Sequence, residues 1–489
     1  MKNSNLTEEQ AAVVDAVRSG AERVVVQAYA GSGKTFTLVR AADAAVSGGK
    51  RVLYLVFNRA MRMEAEEKFR RAGLSSVDVL TAHKLAWDRT PSAVRERVVN
   101  YPYQLYPALW RLVPLTERCP GLAGALVAGL VRFSHSADRD PSAGHIPLGQ
   151  RAVLARCGVD LEEAGSILKR LWRCFLNPRS GLPLLHDFYL KALHLRGVRL
   201  PYDLILYDEA QDANAPMREL VLSQPAQTVF VGDAYQSLYA WRGAVNALAE
   251  VRGLRLYLSR TFRFGPEAAG WANRVLALLG ERVPLRPALG LATRVRLGSR
   301  PAGGRVAVLV RSNAEALLAL RELYALGYRR VRFLRDWRFL RLVEDVVALS
   351  QGRSDIASPA LRVLTWGELL RGVGRDPGAY GELATLVRLV AREPRPAFLV
   401  RELRRAMRVK LSEADAVVAT VHQAKGLEWD RVWVRGRFRL VDEHGSPVSS
   451  ELMLLYVAFT RARQELFLPL ELEAGLRALE GAPVSSRAA

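Results

Sequence analysis

Cysteine, lysine and long apolar runs are all scarce in this sequence. The three cysteines, Cys119, Cys157 and Cys174, are too few and too scattered for a disulfide framework or a four-cysteine zinc site. The longest apolar run, residues 121–131, is too short to cross a bilayer, and the polar first ten residues lack the apolar core of a signal peptide. We therefore expect a soluble protein of the reducing cytoplasm with no membrane partner.

The chain also lacks extended low-complexity tracts, and half of its residues are hydrophobic, which predicts a globular protein. Its 489 residues exceed what one core usually serves and indicate two to four structural units. The net charge of +22 favours a polyanionic partner such as nucleic acid, although an arginine-rich composition alone would raise the charge. Only nine of the 71 basic residues are lysine, so a lysine in a motif indicates a chemical requirement.

Residues 23–39, RVVVQAYAGSGKTFTLV, have the composition of a buried strand, a glycine-rich turn and a helix. Gly31 and Gly33 allow backbone N–H groups to turn toward an anion, and the helix N-terminus adds partial positive charge. We expect Lys34 to contact the β- and γ-phosphates of a nucleotide and the Thr35 hydroxyl to bind Mg²⁺. The alternative is a glycine-rich turn that matches the pattern by chance, and Ala28 does replace the pattern's first glycine.

A second candidate site lies in residues 203–212, DLILYDEAQD, where an apolar strand ends in two adjacent carboxylates. At the carboxyl edge of a parallel sheet, Asp208 would hold Mg²⁺ while Glu209 orients and deprotonates an attacking water. A solvated acidic turn is the alternative. Together with the phosphate loop, the pair predicts an NTPase that uses Mg²⁺.

The remaining pattern predicts two α/β repeats interrupted by helical stretches. Thr7 and Gln10 have capping-box spacing at the start of a helix over residues 6–17. Residues 87–200 are helical in composition and broken by prolines. Further strands are expected at residues 51–58, 77–83, 202–207, 228–231, 305–310, 431–434 and 465–470.

Nine segments then resemble, in order, the motifs of the superfamily 1 DNA helicases of the UvrD and Rep type. They are LTEEQ, AYAGSGKT, YLVFNRAM, TAHKLAW, YDEAQD, VGDAYQSLYAWRGA, LSRTFRF, TVHQAKGLEWD and LLYVAFTRAR. Within that family the sequence looks most like the F-box DNA helicase branch, and we expect no F-box ahead of the helicase core. The resemblance covers nearly the whole chain and implies two RecA-like parallel-sheet domains, the P-loop NTPase fold, each with a mainly helical inserted domain.

The resemblance also implies a role for individual residues at the nucleotide. Gln10 would read the adenine edge, Phe262 would stack on the base and Glu428 would hold the ribose. Gln236 would sense the γ-phosphate, and Arg263 and Arg461 would act as arginine fingers. Phe36 stands where many relatives place an arginine that contacts the nucleotide. The nucleotide set taken from the phosphate loop is Ala30, Gly31, Ser32, Gly33, Lys34, Thr35 and Phe36.

A single-stranded DNA track requires aromatic platforms beside polar and cationic groups. The resemblance implies such contacts, with ordinary core packing as the alternative for each lone aromatic. The residues are Phe57, Asn58, Thr81, His83, Tyr239, Trp241, Arg242 and His422. Six arginines between residues 329 and 341, interleaved with Phe333, Trp337 and Phe339, form a second candidate DNA surface or a solvated helix face.

We assign residues 1–87 and 200–258 to the first RecA-like domain and residues 88–199 to its helical insertion. Residues 259–348 and 411–489 form the second RecA-like domain, and residues 349–410 a reduced insertion. The resemblance implies a 3'→5' helicase or translocase on single-stranded DNA and single-strand/duplex junctions, acting in DNA repair, recombination or replication. A translocase that strips bound proteins with weak unwinding, and a DNA-binding protein regulated by ATP, remain alternatives.

Overall fold

The computed structural model describes residues 6–119, 121–238, 247–362, 364–375, 380 and 382–481. Two compact units divide the chain. Unit 1 comprises Met1–Tyr29 and Gly33–Ser259, and unit 2 comprises Ala30–Ser32 and Arg260–Ala489.

Strands and helices alternate in unit 1 except in residues 82–185, where several helices follow one another. The strands are β1 (Arg23–Ala28), β2 (Val52–Val56), β3 (Asp78–Thr81), β4 (Val98–Val99), β5 (Leu184–Leu185), β6 (Leu204–Tyr207), β7 (Gln227–Gly232) and β8 (Leu254–Leu258). The helices are α1 (Glu8–Arg18), α2 (Lys34–Ser47), α3 (Arg59–Arg71), α4 (Ala82–Asp88), α5 (Ser92–Arg95), α6 (Tyr106–Leu112), α7 (Leu115–Arg118), α8 (Leu122–Ser134), α9 (Leu148–Arg156), α10 (Leu161–Leu176), α11 (His186–Leu195), α12 (Ala215–Leu222) and α13 (Ala247–Glu250).

The main sheet of unit 1, among the described residues, has six parallel strands in the order β3-β2-β6-β7-β1-β8. Val24 and Val26 of β1 pack into one hydrophobic cluster, whereas Val25 packs into another, so helices cover both faces of the sheet. A strand buried on both faces has no solvent side, which explains its unbroken apolar sequence. The carboxyl ends of β1, β6 and β7 meet at one edge, where the candidate site lies.

The described part of the predicted helical stretch of residues 87–200 contains α5 to α11, and the two-residue strands β4 and β5 pair with each other. Its core residues, such as Leu126 and Phe188, belong to the same hydrophobic cluster as Val25 of β1. The helical character of this stretch agrees with the sequence prediction. The boundaries proposed for the insertion remain a prediction.

Unit 2 repeats the alternation. Its strands are β9 (Arg260–Thr261), β10 (Arg286–Pro287), β11 (Arg294–Leu297), β12 (Val306–Val310), β13 (Val331–Phe333), β14 (Ala416–Thr420), β15 (Trp429–Val434) and β16 (Ala462–Leu468). Its helices are α14 (Pro266–Leu278), α15 (Asn313–Ala325), α16 (Trp337–Ser350), α17 (Pro359–Arg362), α18 (Trp366–Arg375), α19 (Glu382–Arg392), α20 (Pro396–Arg408), α21 (Val421–Ala424), α22 (Ser449–Phe459) and α23 (Leu470–Gly481).

In the described part of unit 2, six parallel strands form a second sheet in the order β11-β16-β15-β12-β14-β13. The predicted fold class, α/β with two parallel-sheet domains of the RecA-like type, is confirmed. Helices α18 to α20, from the predicted reduced insertion, share one hydrophobic cluster with β12, α15 and α16 through residues such as Leu369, Val387 and Leu403. They therefore contribute to the core of unit 2.

Several predicted strand boundaries differ from the observed ones, and two of them show the cause. The strand predicted at residues 77–83 ends at Thr81, because the Thr81 hydroxyl accepts the Lys84 N–H (3.1 Å) and starts α4, which contains His83. The strand predicted at residues 465–470 begins earlier, at Ala462, and ends at Leu468, and Leu470 opens α23. Both errors arise at strand-to-helix junctions, where apolar residues continue across the boundary.

The mixed arginine and aromatic segment of residues 329–341 is not an aromatic surface. Phe333 and Phe339 are buried and stack with ring centroids 5.8 Å apart, and only Trp337 among the three aromatics is exposed. Arg332 donates to the backbone carbonyls of Met407 and Val409. This arginine therefore ties β13 to the end of α20.

The cysteines also differ from expectation, because Cys119 and Cys157 form a disulfide across 38 residues, with Cα atoms 5.8 Å apart. The sequence did not predict this pair because the two cysteines are far apart along the chain. They come together because α8 folds back beside α9. Cys174 is a free thiol.

Among the described residues, every helix is too short or too polar to span a membrane.

Candidate nucleotide site

The phosphate loop leads directly into α2. Gly31 and Gly33 both have left-handed backbone angles, with φ of 75° and 79°, which is why glycine is needed at these positions. Gly33 is the residue before α2, and its carbonyl accepts hydrogen bonds from the N–H and the hydroxyl of Thr37. The N–H groups of the first turn of α2 remain available to an anion, as the sequence predicted for a phosphate loop.

Lys34, the first residue of α2, forms an ion pair with Glu209, with Nζ 3.2 Å from Oε1. Both side chains are largely buried. Burial alone would lower the pKa of Lys34, but attraction from Glu209, Asp233 and Asp208 outweighs it and raises the pKa. The ammonium group is therefore charged at neutral pH and compensates the acidic end of β6.

Asp208 follows β6 and is buried beside Tyr54 of β2, whose hydroxyl donates to Oδ2 over 2.6 Å. Its other oxygen, Oδ1, accepts the Glu209 N–H. Burial and repulsion from Glu209 raise the pKa of Asp208 to about 6. Burial and the nearby charge of Asp208 likewise raise the pKa of Tyr54 well above its ordinary value, so Tyr54 is a donor here.

These oxygen donors fit Mg²⁺. The hard cation prefers carboxylate and hydroxyl oxygens, which Asp208 and Thr35 supply at adjoining strand and helix ends. The raised pKa of Asp208 shows a carboxylate whose charge is only partly compensated by protein groups, and a divalent cation would relieve this deficit. Assignment of Thr35 and Asp208 as metal ligands remains a prediction.

Glu209 has an unusual backbone conformation, with φ 53° and ψ 40°. Among the residues that the structure describes, it is the one non-glycine residue with a positive φ. Such strain persists only where surrounding contacts hold it, and it is common at functional sites. Oε2 of Glu209 accepts a 2.6 Å hydrogen bond from Gln211. Together, Lys34 and Gln211 hold the two oxygens of the predicted catalytic base.

The Gln236 side chain donates to the buried carboxylate of Asp233 through Nε2, over 2.7 Å. Asp233 follows β7, and its other oxygen accepts from Gln27 of β1 (3.1 Å). Three polar residues around the predicted set, Tyr54, Gln211 and Asp233, were not assigned roles from the sequence. The sequence features that could have indicated them were the tyrosine hydroxyl within the apolar strand VLYLV, for Tyr54, and the position of Gln211 and Asp233 inside recognised motifs.

Gln10 is buried and uses its side-chain oxygen to accept the Thr7 N–H (3.1 Å), while the Thr7 hydroxyl accepts the Gln10 N–H (3.2 Å). The predicted capping box is therefore present. Phe36 is on α2 and exposed, with the Arg40 guanidinium 5.2 Å from its ring centre. The adenine and nucleotide contacts assigned to these two residues remain predictions.

Unit 2 contains the other nucleotide candidates. Arg263 forms an ion pair with Glu428 (Nε to Oε2, 2.6 Å) and also donates to the Thr460 carbonyl. Arg461 is buried and donates to the carbonyls of Val457 and Leu427 and to the Thr460 hydroxyl. Phe262 is nearly half exposed, and Ala30 and Ser32 are buried. The roles predicted for Arg263, Arg461, Glu428 and Phe262 remain predictions.

The predicted DNA contacts of unit 1 follow neighbouring strands. Phe57 is exposed directly after β2, Asn58 caps α3 by accepting the Met61 N–H, and Thr81 caps α4. In unit 2, His422 lies in α21. Tyr239, Trp241 and Arg242 lie outside the described residues, so their assignment rests on the sequence alone.

The last predicted DNA contact, His83, belongs to a cluster formed by α4, α11 and the residue that follows α8. Asp187 lies between His83 and His135, with one carboxylate oxygen 3.1 Å from a ring nitrogen of each. Burial opposes the charged form of Asp187, but hydrogen bonds and attraction from His135 and His83 outweigh it and hold its pKa well below the usual range. The carboxylate thus connects the predicted helical insertion to α4.

Replacing this carboxylate should change the acid stability of the protein. A depressed carboxyl pKa stabilises the fold above its unfolded value of about 3.9, and the effect is lost as the pH falls further. Asp187→Asn should therefore lower the melting temperature at pH 7, and the difference from wild type should shrink below about pH 4. Thermal unfolding at both pH values measures this, and a pH-independent difference would contradict it.

Three family profiles match separate parts of the chain. The UvrD/REP helicase N-terminal domain matches residues 183–250, and the UvrD-like helicase C-terminal domain matches residues 396–472. The type III restriction enzyme res subunit matches residues 3–93. The first and third of these ranges include the candidate nucleotide residues of unit 1.

Curated proteins are similar to nearly all of the chain. F-box DNA helicase protein 1 of Schizosaccharomyces pombe is 30% identical over 512 residues, which cover 95% of this chain and 57% of the relative. F-box DNA helicase 1 of Gallus gallus is 29% identical over 519 residues, with 96% of this chain and 49% of the relative covered. The chain thus spans about half the length of these relatives.

A solved complex of an arterivirus nonstructural protein 10 helicase with DNA has a TM-score of 0.35 and 13% identity, covering 96% of this chain and 65% of that one. The family assignment rests on the sequence matches. The two UvrD-type profiles occur in the order N-terminal domain then C-terminal domain, and two helicase relatives align with nearly the whole of this chain. By these matches the chain is similar to the UvrD/Rep-type superfamily 1 helicases.

Proposed function

We propose that this chain is an ATP-dependent DNA helicase or translocase that moves 3'→5' on single-stranded DNA. Its substrates would be single strands and single-strand/duplex junctions, in DNA repair, recombination or replication. The observation that carries the proposal is the convergence of Lys34, Asp208 and Glu209 at one edge of a parallel sheet, with Lys34 and Glu209 in contact over 3.2 Å. A phosphate-binding cation, a metal-binding carboxylate and a base beside them suit phosphoryl transfer.

In the proposed reaction, Lys34 exchanges its partner. The Lys34 ammonium, which contacts Glu209, would bind the phosphates of a nucleoside triphosphate, because their negative charge is more concentrated. Release from Lys34 leaves Glu209 able to orient a water and accept its proton. Bound Mg²⁺ would supply charge neutralisation on the phosphates, with Asp208 and Thr35 as its protein ligands.

The DNA candidates share this sheet edge. Asn58 follows β2, Thr81 is the last residue of β3, and β2 pairs directly with β6, which ends immediately before Asp208. A strand bound at these positions would contact the same parallel-sheet edge as the nucleotide. This adjacency supports coupling between DNA binding and ATP hydrolysis.

The direct test compares ATP hydrolysis with and without single-stranded DNA. We expect a low basal rate that rises strongly with DNA, because the two ligands favour the same arrangement of the sheet edge. Equal rates would contradict coupling. Strand displacement on duplexes carrying a 3' or a 5' tail then measures polarity, and unwinding from the 5' tail alone would exclude the proposed direction.

A second candidate is a translocase that strips proteins from single strands with weak unwinding. Two described features favour it. Helices α18 to α20 contribute to the hydrophobic core of unit 2, and β16 is followed directly by α23. Displacement of a protein block from a single strand, measured beside duplex unwinding by the same preparation, distinguishes the two functions. A DNA-binding protein regulated by ATP would bind both ligands without turnover.

Tyr54→Phe should lower the apparent affinity of the proposed ATP site for Mg²⁺. The hydroxyl orients Asp208 through a 2.6 Å hydrogen bond, so its loss should raise the Mg²⁺ concentration for half-maximal ATP hydrolysis by roughly 10-fold. The matched control is Tyr202→Phe, since Tyr202 donates to Asp78 at the opposite, amino end of β3. Equal Mg²⁺ titrations of Tyr54→Phe and wild type would show that Tyr54 only fills space.

A further inference from the structure

A buried carboxamide joins the predicted catalytic base to the predicted γ-phosphate sensor. Gln211 lies in the turn after β6 and is fully buried. Its Nε2 donates to Glu209 Oε2 over 2.6 Å, and its Oε1 accepts the backbone N–H of Asp233 over 3.1 Å. One side chain therefore connects the end of β6 to the end of β7.

The far end of this connection is itself fixed. The Asp233 carboxylate is completely buried and accepts hydrogen bonds from Gln236, Gln27 and the Tyr235 N–H. The Ser237 hydroxyl also donates to the Gln211 carbonyl. A shift of Gln236 would thus be transmitted to Gln211 through Asp233, and from Gln211 to the carboxylate of Glu209.

Gly232, at the end of β7, provides the space that Gln211 occupies. A Cβ at this position would lie 2.0 Å from Gln211 Oε1 and 3.1 Å from the Ala210 nitrogen. Gly232 does not have positive φ, so its backbone conformation does not require glycine. The absence of a side chain here serves the placement of the Gln211 carboxamide.

We propose that Gln211 is a positioning residue for hydrolysis, which holds Glu209 toward the attacking water and couples it to the Gln236 segment. The inference rests on the proposed ATP hydrolysis by this site. Glu209 has a strained backbone, so its carboxylate needs side-chain partners to keep one orientation. Gln211 supplies one such partner through its hydrogen bond to Glu209 Oε2.

The test is a double-mutant cycle of Gln211→Ala and Gly232→Ala. Each single change should lower kcat for ATP by roughly 10- to 100-fold, because a supporting hydrogen bond to a reacting group is lost or displaced. KM for ATP should stay within a few-fold, since the hydrogen bonds of Gln211 are with Glu209, Asp233 and Ser237. The double mutant should be no slower than Gln211→Ala, because no carboxamide remains for the added methyl group to displace.

The control is Gln224→Ala. Gln224 is another buried glutamine of unit 1, bonded to Leu200 and Leu220, and its loss should lower thermal stability with little effect on kcat. The factor by which single-stranded DNA stimulates hydrolysis should fall in Gln211→Ala but not in Gln224→Ala. Stimulation of ATP hydrolysis by DNA measures the coupling between the DNA site and the ATP site. A residue that only supports packing would not change this coupling.

Several results would overturn the inference. They are wild-type kcat in Gln211→Ala, a loss of nucleotide binding as large as the loss of rate, or additive losses in the double mutant. Failure of the proposed function is a different result, because the wild-type protein would then hydrolyse no ATP. The double-mutant cycle therefore distinguishes a wrong role for Gln211 from a wrong assignment of the site as an ATP hydrolase.

Discussion

Glu209→Gln is expected to bind ATP normally and to hydrolyse it at least about 100-fold more slowly than wild type. The amide cannot accept a proton from water, whereas Lys34 and the loop glycines, which are proposed to hold the phosphates, are unchanged. The substitution also removes one of the two adjacent acidic charges at the end of β6, so nucleotide binding should be preserved. Single-turnover hydrolysis and nucleotide binding measured on the same preparation provide the test.

Glu64→Gln is a suitable control, because Glu64 lies on the exposed side of α3 and pairs with Lys68. It should hydrolyse ATP like wild type. Loss of nucleotide binding in Glu209→Gln would instead assign Glu209 a structural role at the end of β6. Retention of turnover would exclude Glu209 as the catalytic base.

Lys34→Met should abolish ATP turnover and nucleotide-induced stabilisation, and it should also destabilise the protein without ligand. Lys34 is the cation paired with Glu209 in a largely buried contact. Removing one partner of such a pair leaves an uncompensated charge, which costs on the order of 3 kcal/mol. The free energy of unfolding from denaturant titration measures this cost.

The loss of stability should depend on pH in a definite direction. Lys34 lowers the pKa of Asp208, which burial and Glu209 have already raised to about 6, so the substitution should raise that pKa further. A carboxyl group with a raised folded-state pKa loses stability as the pH rises from its unfolded value through the folded one. The deficit of Lys34→Met should therefore be larger at pH 8 than at pH 5. The exposed Lys68→Met should show neither effect, and a deficit independent of pH would show that Lys34 acts through packing.

Much of the site was readable from the sequence because its signals are local. A triple-valine strand, a glycine turn and a lysine occur within 17 residues, and the Asp208–Glu209 pair directly follows another apolar strand. The carboxyl ends of parallel strands meet at one sheet edge, so these two segments were expected to converge, and Lys34 does contact Glu209. The capping box at Thr7 and Gln10 was readable for the same reason.

Partners distant in the sequence were not readable. Tyr54 and Asp208 are 154 residues apart, and Gly232 is recognisable as a space for Gln211 only when β6 and β7 lie side by side. The Cys119–Cys157 disulfide and the two histidines on Asp187 were missed in the same way. Periodicity reports which face of an element is apolar, but it does not report which side chain of another element lies opposite.

The sequence by itself determined the class of the fold and the chemical groups of the site, because strand burial, loop conformation and residue type are properties of short segments. The tertiary structure decided how those groups are held. Glu209 is fixed between Lys34 and Gln211, and Asp208 by Tyr54, through hydrogen bonds whose geometry depends on the order of strands in the sheet. That order is set by packing over the whole unit, and no single segment encodes it.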